Sequence, residues 1–379
     1  MVRVEKLFSG VYSGKTVLVT GHTGFKGSWL VLWLQLLGAR VIGYALPPPT
    51  EPSLCHLSNL QEGITHINGD IRDLSKVREV CQRYKPDFVF HLAAQSLVRY
   101  SYENPVETYE TNVMGTIHLL EALRATPSVR VCVNVTSDKC YENQEWDYSY
   151  RESDPMGGFD PYSSSKGCAE LITAAYRRSF FKTGDTYSVN LASGRAGNVI
   201  GGGDWARDRL VPDCVRALTA KAPIIVRNPD AVRPWQYVLE PLAGYLWLGA
   251  CLWNKPGTFE GGWNFGPHTV GNLPVRQIVS QVVAMWGEGE WKHDCQDNSL
   301  NPHEARTLKL DITKSSSLLG WEPIMSVSEA ISETIGWYLE YHRSPTIDVK
   351  RATLDRINHY MQTATTKNAV WTAKVQDSL

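Results

Sequence analysis

The sequence has no long hydrophobic run and no excess of charge of one sign. No apolar stretch approaches the ~20 residues that cross a bilayer, and the first ten residues lack the apolar core of a signal peptide. The formal net charge is −1, from 38 Lys and Arg against 39 Asp and Glu, so no basic field attracts nucleic acid or an anionic membrane. We therefore expect a cytoplasmic protein with neither partner.

Signals for metal binding are equally scarce. The eight cysteines form no CxxC pair and have no metal-ligand spacing with histidine. Several lie inside apolar runs, as Cys132 does between Val131 and Val133. We interpret them as buried, reduced thiols and expect no metal site.

What the sequence does contain is a regular alternation of strands and helices. Apolar and β-branched runs predict strands over residues 16–20, 40–46, 64–69, 87–92, 130–136 and 187–195, and longer patterns predict helices over 28–37, 70–84, 105–125 and 162–182. This order predicts an α/β fold with a doubly wound parallel sheet. We expect a cofactor domain over 12–196 and a smaller mixed α/β substrate-binding domain over 197–345. Some later segments should return to the first domain, and 346–379 should form a polar tail or peripheral helix.

The first chemical motif is the glycine loop Gly21–Gly27 (GHTGFKG), placed between a predicted strand and a predicted helix. Glycines let the backbone approach a pyrophosphate, and the helix N-terminus offers N–H groups to it, so the loop predicts a Rossmann-type dinucleotide site. Binding residues would be Gly21, Thr23, Gly24, Phe25, Lys26 and Gly27. Lys26 is interpreted either as a phosphate contact or as a solvated side chain.

The end of the second strand lacks the acidic residue that usually binds the adenosine ribose. The strand ends at Leu46, the next carboxylate is Glu51, and no arginine stands there to take a 2′-phosphate. We therefore expect NAD as the cofactor. His22 and Lys26 make the loop polar and bulky, so we expect NAD to be held less tightly than by a standard fingerprint.

Two further motifs carry side chains suited to proton transfer. Tyr162 and Lys166 are four residues apart, so they share one face of a helix, where the lysine cation should favour phenolate. The run Thr136-Ser137-Asp138-Lys139 ends the fifth strand, and ligands bind beyond the carboxyl ends of such strands. A simple dehydrogenase needs the serine hydroxyl but has no use for the added acid and base.

Taken together, these motifs resemble the extended short-chain dehydrogenase/reductase family, most closely its nucleotide-sugar 4,6-dehydratases. The resemblance covers about residues 12–340 and rests on GHTGFKG, NGDIRD (68–73), HLAAQS (91–96), TNVMGT (111–116), TSDK (136–139), YSSSK (162–166), GRAGNVIGGGDW (194–205) and RPWQYV (233–238). Lys139, GNVIGGGDW and PHEA (302–305) resemble the branch that acts on CDP-glucose.

The resemblance implies a task for each residue. Tyr162, assisted by Ser137 and Lys166, would deprotonate the sugar 4-hydroxyl, and Asp138 would protonate the departing 6-hydroxyl. Most relatives have Glu where this chain has Lys139, so the base that removes the C5 proton is left open between Lys139, water and another group. The resemblance also implies cofactor contacts from Asp70, Ile71, Ala93, Ala94, Gln95 and Asn112, and substrate contacts from Ser96, Asn198, Arg209, Arg233, His303 and Glu304.

Two other functions remain open at this point. A 4-epimerase or decarboxylase of the same family would keep Ser137, Tyr162 and Lys166 but has no need of the Asp138–Lys139 pair. A non-catalytic sensor of NAD would not need Tyr162 and Lys166 in register. The resemblance further implies a homodimer or homotetramer that pairs the helices over 105–125 and 162–182, and a role in deoxysugar synthesis for a surface polysaccharide of the O-antigen type.

Overall fold

The computed structural model describes residues 4–181, 188–294, 305–344 and 346–373. Within these ranges the strands, β1 to β13 in chain order, are Thr16–Thr20, Arg40–Ala45, Thr65–Asn68, Phe88–His91, Val131–Val135, Asn190–Arg195, Val199–Ile200, Ile224–Val226, Val232–Pro234, Gln236–Tyr237, Gly261–Asn264, Asn272–Pro274 and Trp291–His293. The α-helices, α1 to α13, are Phe25–Leu36, Leu54–Leu57, Leu74–Tyr84, Val98–Glu103, Pro105–Tyr109, Gly115–Arg124, Pro161–Phe180, Leu210–Thr219, Leu239–Asn254, Val275–Trp286, Thr313–Leu319, Val327–Arg343 and Val349–Thr366.

The central layer is a seven-stranded sheet in the order β11-β6-β5-β4-β1-β2-β3, and all its paired strands are parallel. The predicted Rossmann-type α/β fold is confirmed. The chain winds outward from β1 to β3 and then returns to the other side of β1 at β4. The crevice above β1 and β4 is therefore the switch point where such sheets bind ligands.

Local side-chain caps decide where the helices begin. Asp160 accepts the backbone N–H of Ser163, and Pro161 occupies the first position of α7. The helix predicted over 70–84 begins only at Leu74, because the Asp73 carboxylate caps it by accepting the Lys76 N–H. The helix predicted over 105–125 is continuous but contains a π-helical turn, Glu110–Met114, between α5 and α6.

The C-terminal half divides its elements between two places. Three two-stranded sheets, β7 with β10, β9 with β12 and β8 with β13, lie outside the central layer. In contrast, β11 extends the central sheet beside β6, and α9 is buried along nearly its whole length. The tail forms α13, whose Tyr360 packs edge-on against Trp33 of α1. Among the described residues no helix is both long and apolar enough to span a membrane.

Candidate active site

The glycine loop forms a tight cradle at the switch point. Gly21 has a positive φ of 73°, and a Cβ at this position would lie 2.6 Å from the backbone nitrogen of Ala93. A Cβ at Gly27 would lie 2.2 Å from the Gly21 carbonyl oxygen, so only glycine fits at either place. Gly24 is the N-cap of α1 and offers no side-chain cap, so the first-turn N–H groups point at the space where a phosphate would bind.

The side chain of His22 turns away from this cradle. It is fully buried, its Nε2 lies 2.7 Å from Nδ1 of His66, and its ring fills the space beside Gly43. The expectation that His22 crowds the loop is therefore wrong, because its ring lies beneath the loop, against β2. Thr23 donates its hydroxyl to the Leu46 carbonyl at 2.9 Å and ties the loop to the end of β2.

Asp70 and Ile71 follow β3 and play different parts. Arg72 forms an ion pair with Asp70 at 2.6 Å, and its hydrogen bonds lower the pKa of the Asp70 carboxyl. The main-chain carbonyl of Asp70 accepts the Tyr44 hydroxyl at 2.7 Å. Ile71 is buried and packs against Gly115 at the start of α6, whereas the Asp70 side chain is 27% exposed.

The segment after β4 is fastened to the π turn by Asn112. The Gln95 backbone N–H donates to Asn112 Oδ1, and Asn112 Nδ2 donates to the Gln95 carbonyl, both at 2.9 Å. Asn112 Nδ2 also donates to the Ser165 hydroxyl of α7 at 2.8 Å. Ala93 and Ala94 therefore lie along the crevice, between the glycine loop and the catalytic helix.

Tyr162 and Lys166 are both buried on α7, beside Ser137 at the end of β5. Burial raises the pKa of Tyr162 to about 12, although its hydrogen bond with Ser137 opposes the shift. Burial lowers the pKa of Lys166 to about 8. Loss of hydration therefore outweighs the two groups that favour the phenolate, the Ser137 hydroxyl and the Arg209 guanidinium.

Asp138 and Lys139 form a short 3-10 turn capped by Ser137, whose hydroxyl accepts the Lys139 N–H at 3.2 Å and donates to Asp138 Oδ1 at 3.0 Å. Asp138 is buried against Gly197, and its Oδ2 has no hydrogen-bond partner among the described residues. The Lys139 side chain is half-buried. A buried carboxylate oxygen of this kind can accept a hydrogen bond from the hydroxyl of a ligand.

Lys26 lies in the same cluster. Its Nζ is 5.9 Å from the ring centre of Tyr245, a buried tyrosine of α9. Burial, together with the cations Lys166 and Arg209, lowers the pKa of Lys26 to about 7, and Asp138 opposes this shift. The structure therefore supports neither earlier interpretation alone, because Lys26 faces the catalytic groups. Sequence reasoning missed Tyr245, which lies within an unbroken apolar helix.

Arg209 and Ser96 are brought together as expected of residues that share a ligand. Arg209 donates to the Ser96 hydroxyl at 2.9 Å and forms an ion pair with Asp204 at 3.0 Å. Arg209 also interacts electrostatically with Tyr162, which places its guanidinium beside the catalytic helix. Asn198 has a left-handed backbone with φ 39°, and its carbonyl accepts the Gln236 N–H at 3.3 Å.

The Arg233 guanidinium hydrogen-bonds to the main chain. Its Nη atoms donate to the main-chain carbonyls of Val232, Ala305 and Arg306, at 2.9, 2.5 and 3.2 Å. The buried guanidinium therefore braces the strand segment after residue 304, and these hydrogen bonds give no support to a direct contact with a diphosphate. His303 and Glu304 lie outside the described residues.

Beneath the catalytic helix lies an ion pair that the sequence analysis missed. Glu170 accepts from Arg195 and Ser193, both at 2.7 Å, and from Thr136 at 2.5 Å, with all four residues buried. Although burial opposes it, Arg195 lowers the pKa of the Glu170 carboxyl. The spacing of Glu170 four residues after Lys166 was a signal for the shared helix face.

Comparison with known proteins assigns the chain to a protein family. The sequence profile described as GDP-mannose 4,6 dehydratase matches residues 18–334. The chain belongs to this family. A CDP-glucose 4,6-dehydratase of Salmonella typhimurium is 49% identical over 93% of this chain and 98% of that protein. A dTDP-glucose 4,6-dehydratase of Xanthomonas campestris is 28% identical over 86% of this chain and 93% of that protein.

Solved structures of the same fold include both dehydratases and epimerases. The dTDP-glucose 4,6-dehydratase DesIV from Streptomyces venezuelae, solved with NAD and TYD bound, has a TM-score of 0.73 at 23% identity and covers 86% of this chain and 98% of its own. The UDP-glucose 4-epimerase of Thermus thermophilus, in complex with NAD, has a TM-score of 0.70 at 25% identity and covers 86% and 99%. The fold alone therefore does not separate the two activities.

Proposed function

We propose that this family member converts CDP-glucose to CDP-4-keto-6-deoxyglucose and water. The observation that carries the proposal is the buried Asp138, joined by the Ser137 hydroxyl to Tyr162 at the mouth of the site. An epimerase needs only the Ser137, Tyr162 and Lys166 part of this arrangement. The 49% identity to a CDP-glucose 4,6-dehydratase supports both the reaction and the cytidine nucleotide.

The residues present fit NAD as the cofactor. The cradle of Gly21 and Gly27 admits no Cβ, and the uncapped start of α1 suits a pyrophosphate. Ala93, Ala94 and Gln95 would line the other wall. When bound, NAD supplies the oxidising power for C4 and the reducing power for C6, so that it is regenerated within one turnover.

The oxidation step depends on Tyr162. Its phenolate, hydrogen-bonded to Ser137, would take the proton from the sugar 4-hydroxyl as C4 is oxidised. Because burial raises the pKa of Tyr162 to about 12, the phenolate needs a cation nearby to form at neutral pH. Lys166, with its pKa lowered to about 8, is still mostly protonated at pH 7 and serves this purpose.

The elimination step needs an acid for the 6-hydroxyl and a base for the C5 proton. We assign the acid to Asp138, whose Oδ2 is buried without a partner in the described chain. Lys139 is the first candidate for the base because it follows Asp138 directly. Lys26 is the second, since burial and neighbouring cations lower its pKa to about 7, which is what an amine base requires.

Changing Lys139 to Met tests the first candidate. If Lys139 is the base, product formation falls about 10²-fold while C4 is still oxidised, so absorbance at 340 nm accumulates. The product is measured by the ultraviolet absorbance that a 4-keto-6-deoxy sugar develops in strong alkali. Lys76→Met, which removes an exposed lysine of α3, is the matched control. Near-normal turnover of Lys139→Met would move the assignment to Lys26.

The same assay tests the whole proposal. Wild-type protein with NAD and CDP-glucose should yield the alkali-sensitive ketosugar without net NADH. A product that differs only at C4 would point to an epimerase. No reaction with any nucleoside diphosphate glucose would leave the non-catalytic sensor as the remaining function.

We propose that Arg209 binds the diphosphate, since it reaches Ser96 and lies beside Tyr162. Asn198 would orient the sugar nucleotide from its position near Asp138. Arg233 would act indirectly, through the segment that leads from His303 and Glu304.

We also propose that the chain acts in the cytoplasm as a homodimer or a homotetramer. The helices expected at the interface expose apolar side chains, among them Val106 at 69% and Leu171 at 59%. A soluble protein covers such a patch when copies associate. The polysaccharide pathway implied by the resemblance stays a prediction.

Leu171→Glu is expected to weaken this association. A carboxylate placed in an apolar interface costs more than ~1.4 kcal/mol, which raises the dimer dissociation constant at least about tenfold. Sedimentation velocity over a concentration series measures the constant. Leu318→Glu, a change at a side chain 54% exposed on α11, should leave it unchanged. Equal effects of both variants would contradict the assignment of the interface.

A further inference from the structure

His91, the last residue of β4, is a buried histidine that no step above uses. Its Nδ1 lies 2.7 Å from the Thr20 hydroxyl at the end of β1. Its Nε2 lies 3.3 Å from the Thr116 hydroxyl, one residue into α6. The ring therefore bridges the strand that carries the glycine loop and the helix that follows the π turn.

The neighbouring hydrogen bonds fix the tautomer of the ring. Thr116 donates its only hydroxyl proton to the Asn112 carbonyl at 2.7 Å, so it must accept from the Nε2–H of His91. Nδ1 then carries the lone pair and accepts the Thr20 hydroxyl proton. The Thr20 oxygen in turn accepts the Ala93 N–H at 3.2 Å. All four hydrogen bonds run in one direction, and every donor is used once.

Both ends of this series of hydrogen bonds reach the active site. At one end is Ala93, which lines the crevice beside the glycine loop. At the other end is Asn112, whose side chain holds Gln95 and the Ser165 hydroxyl. Ser165 donates to the Tyr162 carbonyl at 2.7 Å. The π turn places Asn112 where it meets both the cofactor segment and the catalytic helix, and π turns are frequent at functional sites.

We propose that His91 is a positioning residue, whose neutral ring holds the π turn at Asn112 in register with α7 so that Tyr162 and Lys166 face the cofactor segment. The inference rests on the proposed function, because it assigns those two residues to catalysis. Its support is the set of hydrogen bonds just described, none of which touches substrate.

The electrostatic surroundings of His91 keep its ring neutral. Burial, together with the Lys166 cation, lowers the pKa of His91 to about 3, so the ring is neutral at working pH. Lys166 itself is faced by Glu170 and Cys140, which raise its pKa, while burial lowers it to about 8. Lys26 interacts with Lys166 from the glycine loop. Water admitted by a loosened π turn would therefore raise the pKa of Lys166 toward its ordinary value.

Changes at Thr116 test the proposal with a matched set of variants. Thr116→Val removes the acceptor for His91, whereas Thr116→Ser keeps the hydroxyl. Thr126→Val is the control, since Thr126 lies just beyond the same helix and its hydroxyl bonds only the Ala122 carbonyl. His91→Asn keeps an acceptor for Thr20 and loses the Nε2 donor, and His91→Gln restores that donor.

Two readouts separate positioning from a general loss of stability. The first needs no substrate: the pH midpoint for amine labelling of Lys166, followed by peptide mass spectrometry, should rise by about one unit or more in Thr116→Val and His91→Asn. The second is kcat, expected to fall about tenfold in the same two variants. Thr116→Ser, His91→Gln and Thr126→Val should stay near wild type in both.

Unchanged labelling of Lys166 in Thr116→Val would overturn the proposal, whatever the nucleotide sugar turns out to be. A fall in kcat with an unmoved midpoint would also overturn it, since global destabilisation produces that result. If kcat fell equally in Thr116→Val and Thr126→Val, the two threonines would only stabilise the helix. Absence of wild-type turnover would instead refute the proposed function and leave the labelling result to stand alone.

Discussion

Replacing Tyr162 by phenylalanine is expected to reduce turnover of CDP-glucose about 10³-fold, the loss that accompanies removal of a positioned base. The variant keeps the buried ring and loses only the hydroxyl that bonds Ser137, so the fold and the glycine cradle stay intact. Single-turnover absorbance at 340 nm should show no oxidation at C4. This separates Tyr162→Phe from Lys139→Met, in which oxidation proceeds and elimination stops.

The pH dependence of wild-type turnover provides a second check on the same residue. Since the pKa of Tyr162 is raised to about 12, the phenolate fraction and the rate should increase with pH below 8. Above that, Lys166 loses its proton, because its pKa is about 8, and the increase should stop.

The control for Tyr162→Phe is Tyr176→Phe, which removes a hydroxyl on the same helix that bonds Glu121 at 2.7 Å. A loss of activity in both variants would indicate a damaged helix.

The sequence was informative wherever a local pattern determines the chemistry. The glycine loop, the Tyr162–Lys166 spacing and the alternation of strands and helices along the chain follow from short-range signals of turn, helix face and hydrophobic pattern. Those predictions needed no knowledge of side-chain direction.

The sequence did not predict in which direction side chains point or how deeply they are buried. His22 and Lys26 stand in one loop, yet the first faces β2 and the second faces the catalytic groups. No spacing rule separates the two. Arg233 had the right chemistry for a phosphate, but main-chain carbonyls from a segment 72 residues later occupy it. The high pKa of Tyr162 likewise depends on burial by elements far apart in the chain.

Breaking the Glu170–Arg195 ion pair is expected to reduce the stability of the fold strongly. Glu170→Gln keeps one of the two acceptor oxygens, those that meet Thr136 and Ser193, and leaves the Arg195 guanidinium buried without its counter-charge. Breaking a buried pair in this way costs about 3–5 kcal/mol of the free energy of unfolding. Glu121→Gln is the control, because its partner Arg124 is 40% exposed and such pairs contribute about 1 kcal/mol or less. Urea unfolding followed by tryptophan fluorescence measures both.

The difference in unfolding free energy between wild type and Glu170→Gln should depend on pH with a definite sign. The pKa of Glu170 is lower in the folded chain than its ordinary value of 4.5, so the stabilisation is complete above the unfolded value. It is lost as pH falls through the folded pKa, because the wild-type carboxylate must then be protonated. Glutamine does not titrate, so the gap between wild type and Glu170→Gln should be constant from pH 8 to about 5 and narrow in more acid solution. A gap that widened on acidification would show that Glu170 does not stabilise the fold as a carboxylate.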